Sequence, residues 1–170
     1  MDILSHGLWG SLAFGRKNRR SFWMSFWWGI FPDLISFGFF FGGVALGFFD
    51  HPPFGGGHPP SWEIPRIIHI LYNWSHSLVI FGAVFALVLF FLKRVPYEIL
   101  AWPTHIVFDI FTHTKDFFPT PFLWPISDYS VSLINWNDPR IFIPNVILLA
   151  LLVFWFFVVW PRLRKRYHSR

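Results

Sequence analysis

A charged or imidazole side chain inside an apolar stretch is costly to bury, so each one is a candidate for chemistry. His105, Asp109 and His113 recur every four residues and therefore share one helix face. His69, Asn73 and His76 repeat at i, i+4, i+7, Asp2 and His6 are four apart, and Asp33 directly follows Pro32. A His and an Asp one helical turn apart can hold a single divalent ion. The imidazole supplies a neutral nitrogen and the carboxylate an anionic oxygen, which is the donor set of zinc and similar metals. The chain has no cysteine, so disulfides and thiolate sites are excluded. Any metal must be held by His, Asp or Glu.

Plainer readings stand beside these. Asp33 could be a polar residue at a proline kink, and His76 could hydrogen-bond a neighbouring helix. His69 reads as structural, Asp2 as a helix cap and His168 as part of a basic tail. His51 and His58, in a Pro- and Gly-rich stretch, read as loop residues. Aromatic runs such as Phe39-Phe40-Phe41 read as packing or lipid-facing residues.

The elements that must position the candidates are apolar. Of 170 residues 54% are hydrophobic and only 14% are charged, against about a quarter in a soluble domain. The 24 Phe and 11 Trp suit a bilayer and its interfaces. The expectation is one all-α integral membrane domain over residues 1–170, a polytopic bundle of about five helices. The segments are residues 3–15, 22–48, 64–92, 96–114 and 141–160. A full span takes ~20 apolar residues. The second, third and fifth reach that length, the fourth is borderline, and the first is short enough to be a tilted, half-inserted helix. The start, Met1-Asp2-Ile3-Leu4-Ser5-His6, has neither the basic region nor the cleavage site of a signal peptide, so this segment is expected to be part of the fold.

The net charge of +5 is clustered. Arg16, Lys17, Arg19 and Arg20 form one group, Lys93 and Arg94 a second, and Arg162, Arg164, Lys165, Arg166 and Arg170 a third. Basic residues at helix ends follow the positive-inside rule, and no nucleic-acid partner is expected. Five crossings put all three groups on the cytoplasmic side, with the N-terminus outside, in the cell membrane. The outer loops are then residues 50–63 and 115–140, the latter an aromatic and Pro-rich cap. Counting 1.5 Å per residue from the basic groups puts His6 at roughly 15 Å, Asp33 at about 20 Å and His76 at roughly 25 Å. His105 and Asp109 come at about 17 and 23 Å. All lie in the outer half of a ~30 Å core, at one depth.

In order and spacing the chain resembles the YdjM-like family of membrane-bound, metal-dependent hydrolases. The matching residues are His6, Pro32-Asp33, Trp74-Ser75-His76-Ser77, the run from His105 through Asp109 to Thr112, and Leu123-Trp124-Pro125. They span roughly residues 1–128. One position departs: where many members have H-R-G before T-H-S, this chain has Leu71-Tyr72-Asn73. The family is in turn similar to zinc-dependent phospholipases C and single-strand zinc nucleases. The resemblance implies one ion on Asp33, His76, His105 and Asp109, and a second near His6 with Asp109 bridging. His113 is the candidate to complete that second position.

The function expected is a membrane-bound hydrolase carrying one or two divalent ions, zinc by its donor set. Asp33 or Asp109 would position a water or accept its proton. An outward-facing site makes a membrane lipid, through an ester or phosphoester, the natural substrate. Arg66, Lys115 and Arg140 could contact a headgroup phosphate at the rim, or simply anchor the chain. The alternatives are a metal-ion or proton transporter and a structural metal-binding bundle. Oligomeric state is left open.

Overall fold

The computed structural model describes residues 1–50 and 64–162. His51, His58, Glu63, and the tail bearing Arg164, Lys165, Arg166, His168 and Arg170 lie outside the described residues. Among the described residues the chain is all-helical, with no named strand.

Helix α1 (Ile3–Phe14) is started by Asp2, whose carboxylate accepts from the Ser5 amide at 2.9 Å. Helix α2 (Arg19–Asp33) is started by Asn18, which accepts from the Ser21 amide at 2.8 Å. Pro32 removes one amide from its last turn. The chain relaxes into a wide π turn, Leu34–Gly38, and continues as α3 (Phe39–Ala45). The Ser36 hydroxyl donates to the Pro32 carbonyl at 3.2 Å. A π turn inside a helix often marks a functional position, and this one begins directly after Asp33.

The segment expected as one helix over 64–92 is broken. It forms α4 (Arg66–Ser75) and α5 (Leu78–Leu92), bent by 56°. The apolar run is continuous, but Ser77 overrides it. Its hydroxyl accepts from the Val79 and Ile80 amides at 3.1 and 3.2 Å and itself donates to the Trp124 carbonyl. That starts a new helix in mid-segment. Lys93, in the left-handed region at φ 51°, ends α5. A 3₁₀ turn, Tyr97–Leu100, leads into α6 (Ala101–Thr112). The stretch that follows has no helix before α7 (Pro139–Phe154) and is tied back by its backbone. The Leu78 amide donates to the Phe122 carbonyl, and the Trp136 amide to the Thr112 carbonyl, both at 2.9 Å. A second π turn, Trp155–Val159, extends α7 toward Arg162.

Two helical runs are long and apolar enough to cross a membrane, Arg19–Ala45 with 27 residues and Pro139–Arg162 with 24. The bent α4–α5 pair makes a third if it counts as one span. Helices α1 and α6, 12 residues each, are only about 18 Å long. They fall short of a ~30 Å core, so the first and fourth segments are not spans by length. In Pro139–Arg162 the most apolar window has a mean hydropathy of 2.7, yet only 6% of it is buried. Such a surface belongs in lipid.

The short helices lie inside the fold instead. Small residues recur every fourth position on α1, at Gly7 and Ser11 with Gly15 just beyond, and on α2 at Ser21, Ser25 and Gly29. This lets two backbones meet closely. A Cβ at Gly29 would come within 2.6 Å of the His6 carbonyl. Helix α6 packs against both. Two apolar clusters close the sides, one around Ile68, Tyr72 and Phe118, the other around Ile99, Trp102 and Ile106.

Candidate metal centre

Between these clusters lie the polar residues that the sequence singled out. Asp33 stands at the end of α2, His76 at the α4–α5 break, and His105 and Asp109 one turn apart on α6. All four are buried. One ligand atom from each lies within 4.8 Å of all the others, so the group could hold a metal ion.

The donor atoms are aimed by hydrogen bonds on the far side of each ring. His105 Nδ1 is 2.7 Å from the Gly29 carbonyl, and His76 Nδ1 is 3.1 Å from the Tyr72 carbonyl. A carbonyl only accepts, so both Nδ1 atoms donate, and in the neutral rings both Nε2 atoms are bare. Metal-binding histidines are usually oriented this way. The two Nε2 atoms are 3.1 Å apart, a distance at which bare acceptors repel unless a cation lies between them. Asp109 Oδ2 is 3.0 Å from His105 Nε2, yet no group among the described residues donates a hydrogen bond to it. His76 lies 3.5 Å from Asp33 and from Asp109, His105 lies 3.7 Å from Asp33, and the two carboxylates lie within 4.8 Å of each other. Four ligands at ~2.0–2.1 Å in a tetrahedron sit about 3.4 Å apart. The donor set and its spacing fit a divalent ion.

His6 and His113 meet the other oxygen of Asp109. His6 Nε2 is 2.9 Å and His113 Nε2 3.5 Å from Oδ1, and the Met1 amino group is 2.5 Å away. His113 Nδ1 faces the Phe118 carbonyl at 2.8 Å, so its Nε2 is also bare. His6 Nδ1 is buried without a partner, and its ring stacks on His105 at 3.6 Å. The other five sequence-expected residues are thus gathered around Asp109, three on one side and two on the other.

The sequence reading passed over Tyr72. Its ring stacks on His76 at 3.8 Å, and its hydroxyl bonds the Phe118 carbonyl, Thr120 and His113 Nδ1. The available signal was its position four residues before His76, on the same helix face. Gly29, which orients His105, carried no signal at all. His69 lies outside the group, stacked on Phe118 at 4.8 Å. Among the rim residues, Arg140 is bound to Asp138 through two contacts of 3.0 and 2.8 Å. Those bonds pull the Asp138 carboxyl down to about 2. Arg66 and Lys115 are exposed.

The charge clusters also come together. The Ser21 hydroxyl donates to Glu98 at 2.6 Å and holds its carboxyl below the ordinary value, with Lys17 and Arg94 adding to the effect. Arg16 lies over the ring of Phe156, near the end of α7. No family model, curated protein or solved structure matches the chain.

Proposed function

We propose that the protein is a membrane-embedded, metal-dependent hydrolase that cleaves an ester or phosphoester bond in a lipid or lipid-like substrate. The observation behind this reading is the buried group of Asp33, His76, His105 and Asp109, with two bare imidazole nitrogens turned toward two carboxylates. A divalent ion held there, zinc in our reading, would polarise an ester or phosphoryl oxygen and lower the pKa of a water toward ~7. The protein's own groups do the rest. His76 and His105 hold their rings through carbonyl bonds, and His6 steadies Asp109. Asp33, the least buried of the four at 6% exposure, is the group to take a proton at its carboxylate and pass it outward. His6 and His113 offer a second position across Asp109.

The order of His6, Pro32-Asp33, His76, His105-to-Asp109 and Leu123-Trp124-Pro125 supports membership of the YdjM-like hydrolases. We place the chain as a polytopic bundle in the cell membrane, with α1 and α6 packed among the spans and residues 115–140 as an outer cap. The C-terminus lies in the cytoplasm, and the N-terminus, on a helix too short to cross, is held among the spans beside Asp109. The meeting of Lys17, Arg94 and the end of α7 at one end of the fold supports that orientation.

The test is hydrolysis of phospholipid vesicles by purified protein, read as released headgroup or fatty acid. Release should require metal and vanish in His105→Ala. Release that survives chelation, or none from any phospholipid with metal-loaded protein, contradicts the proposal. A second reading, an ion transporter, has one observation behind it. Ser25, buried with an unbonded hydroxyl, lies one turn from Gly29 on the site side and one turn from Ser21 on the Glu98 side. Ion flux into proteoliposomes without hydrolysis would favour it.

A further inference from the structure

A cavity lies apart from the His–Asp group. It holds about 850 Å³ and lies between the end of α1, the start of α2 and the π turn that extends α7. Trp23, at the start of α2, is ten residues from Asp33, or about 15 Å along the helix. The walls are aromatic, with Trp23, Trp155 and Trp160 each about half exposed. Phe22 and Phe157 meet edge to face at 5.4 Å and hold α2 against α7. The mouth carries Arg16, Asn18 and Arg19, and no acidic residue lines it. Neither arginine has a carboxylate partner among the described residues. Arg16 is held in place by the Phe156 ring, 4.7 Å below its guanidinium.

The position within the fold narrows the occupant. Arg19 begins one candidate span, and Trp160 lies two residues before the end of the other. The cavity therefore opens where two membrane helices reach the headgroup level, which is where tryptophans gather. The lining divides between cationic groups, Arg16 and Arg19, and aromatic rings. That division matches an amphiphile with an anionic head, and basic pockets between membrane helices bind such headgroups. The volume is within the ~300–1,000 Å³ range of ligand sites.

We infer that this cavity is a binding site for an anionic phospholipid, with the phosphate on Arg16 and Arg19 and an acyl chain along the tryptophan wall. It is separate from the metal centre and does not depend on the hydrolase reading.

The test uses the full chain in an uncharged detergent, stripped of metal by chelation so that the lipid stays intact. The protein is offered dioleoyl phosphatidylglycerol or dioleoyl phosphatidylcholine at equal concentration, and retained lipid is counted by native mass spectrometry. One phosphatidylglycerol per chain is expected, held roughly 10-fold better than phosphatidylcholine. R16Q/R19Q should bring it down to the phosphatidylcholine level, while R140Q should change nothing. Trp160→Ala should weaken retention of both lipids, and it carries the test if the double variant does not fold. Millimolar inorganic phosphate should not displace the lipid. Equal retention of the two lipids by the wild type overturns the inference. So does retention untouched by either R16Q/R19Q or W160A, and so does full displacement by inorganic phosphate.

Discussion

His105 shows how much of the site depends on single atoms. Its Nδ1 is committed to the Gly29 carbonyl at 2.7 Å, which leaves Nε2 bare and 3.1 Å from the equally bare Nε2 of His76. Buried acceptors left facing each other are unfavourable, and a cation between them removes the conflict. His76→Ala and Asp109→Asn should therefore each release the metal while the helical circular dichroism stays unchanged; variants that keep wild-type metal content would contradict this. Tyr72→Phe should behave differently. Its hydroxyl bonds the Phe118 carbonyl and Thr120 without belonging to the four-residue group, so the variant should keep its metal and lose about 1–2 kcal/mol of stability. Thermal unfolding with metal analysis checks both halves. His6, Asp33, His76, His105, Asp109 and His113 were legible because a charge or an imidazole stands out in an apolar helix. Tyr72 and Gly29 were not, since tyrosine and glycine are ordinary in such a helix and their roles come from a hydroxyl and a carbonyl oxygen.

At the scale of elements, positioning rests on close approach and on one break. Gly29 lets α1 come against α2 while its carbonyl orients His105. Gly29→Ala places a Cβ within 2.6 Å of the His6 carbonyl. Backbone must shift, so a loss of roughly 1–3 kcal/mol is expected, together with weaker metal retention; unchanged retention would show that the approach of α1 does not matter to the site. The break at Ser77 turns His76 inward, and it was hidden by an apolar run that continues across it. Hydropathy records composition along the chain and not where a hydroxyl captures backbone amides. The helical segments themselves were legible from their apolar length, whereas the fourth-residue pattern of small side chains joining α1 to α2 is not a hydropathy signal. Glu98 ties these elements at their basic end. Its carboxyl is held below the ordinary 4.5, first by the Ser21 hydrogen bond, so the charged form stabilises the fold above that pH and its contribution is lost as pH falls through the lowered value. Glu98→Gln should lower the melting temperature at neutral pH and match wild type in acid. A difference independent of pH would contradict this.

Among the described residues the molecule exposes many large apolar side chains and gathers its buried His and Asp at one place. Two runs long enough to span a bilayer leave much of their surface uncovered, so the chain should stay monodisperse only in detergent or lipid. The short helices that carry His6 and His105 lie within the fold, against α2, which ends at Asp33. Residues far apart in sequence meet there, brought by α1, α2, the α4–α5 break and α6. This arrangement makes a bound ion a link between elements. An ion that binds only the folded state stabilises it by about 2.7 kcal/mol at a hundred times its dissociation constant, so chelation should lower the melting temperature. The most direct test of the centre is metal analysis of the wild type and His105→Ala, purified side by side in mild detergent. At least one divalent ion per wild-type chain is expected, and almost none in an equally helical His105→Ala. A metal-free wild type after metal is offered, or an unchanged metal content in His105→Ala, would contradict that expectation.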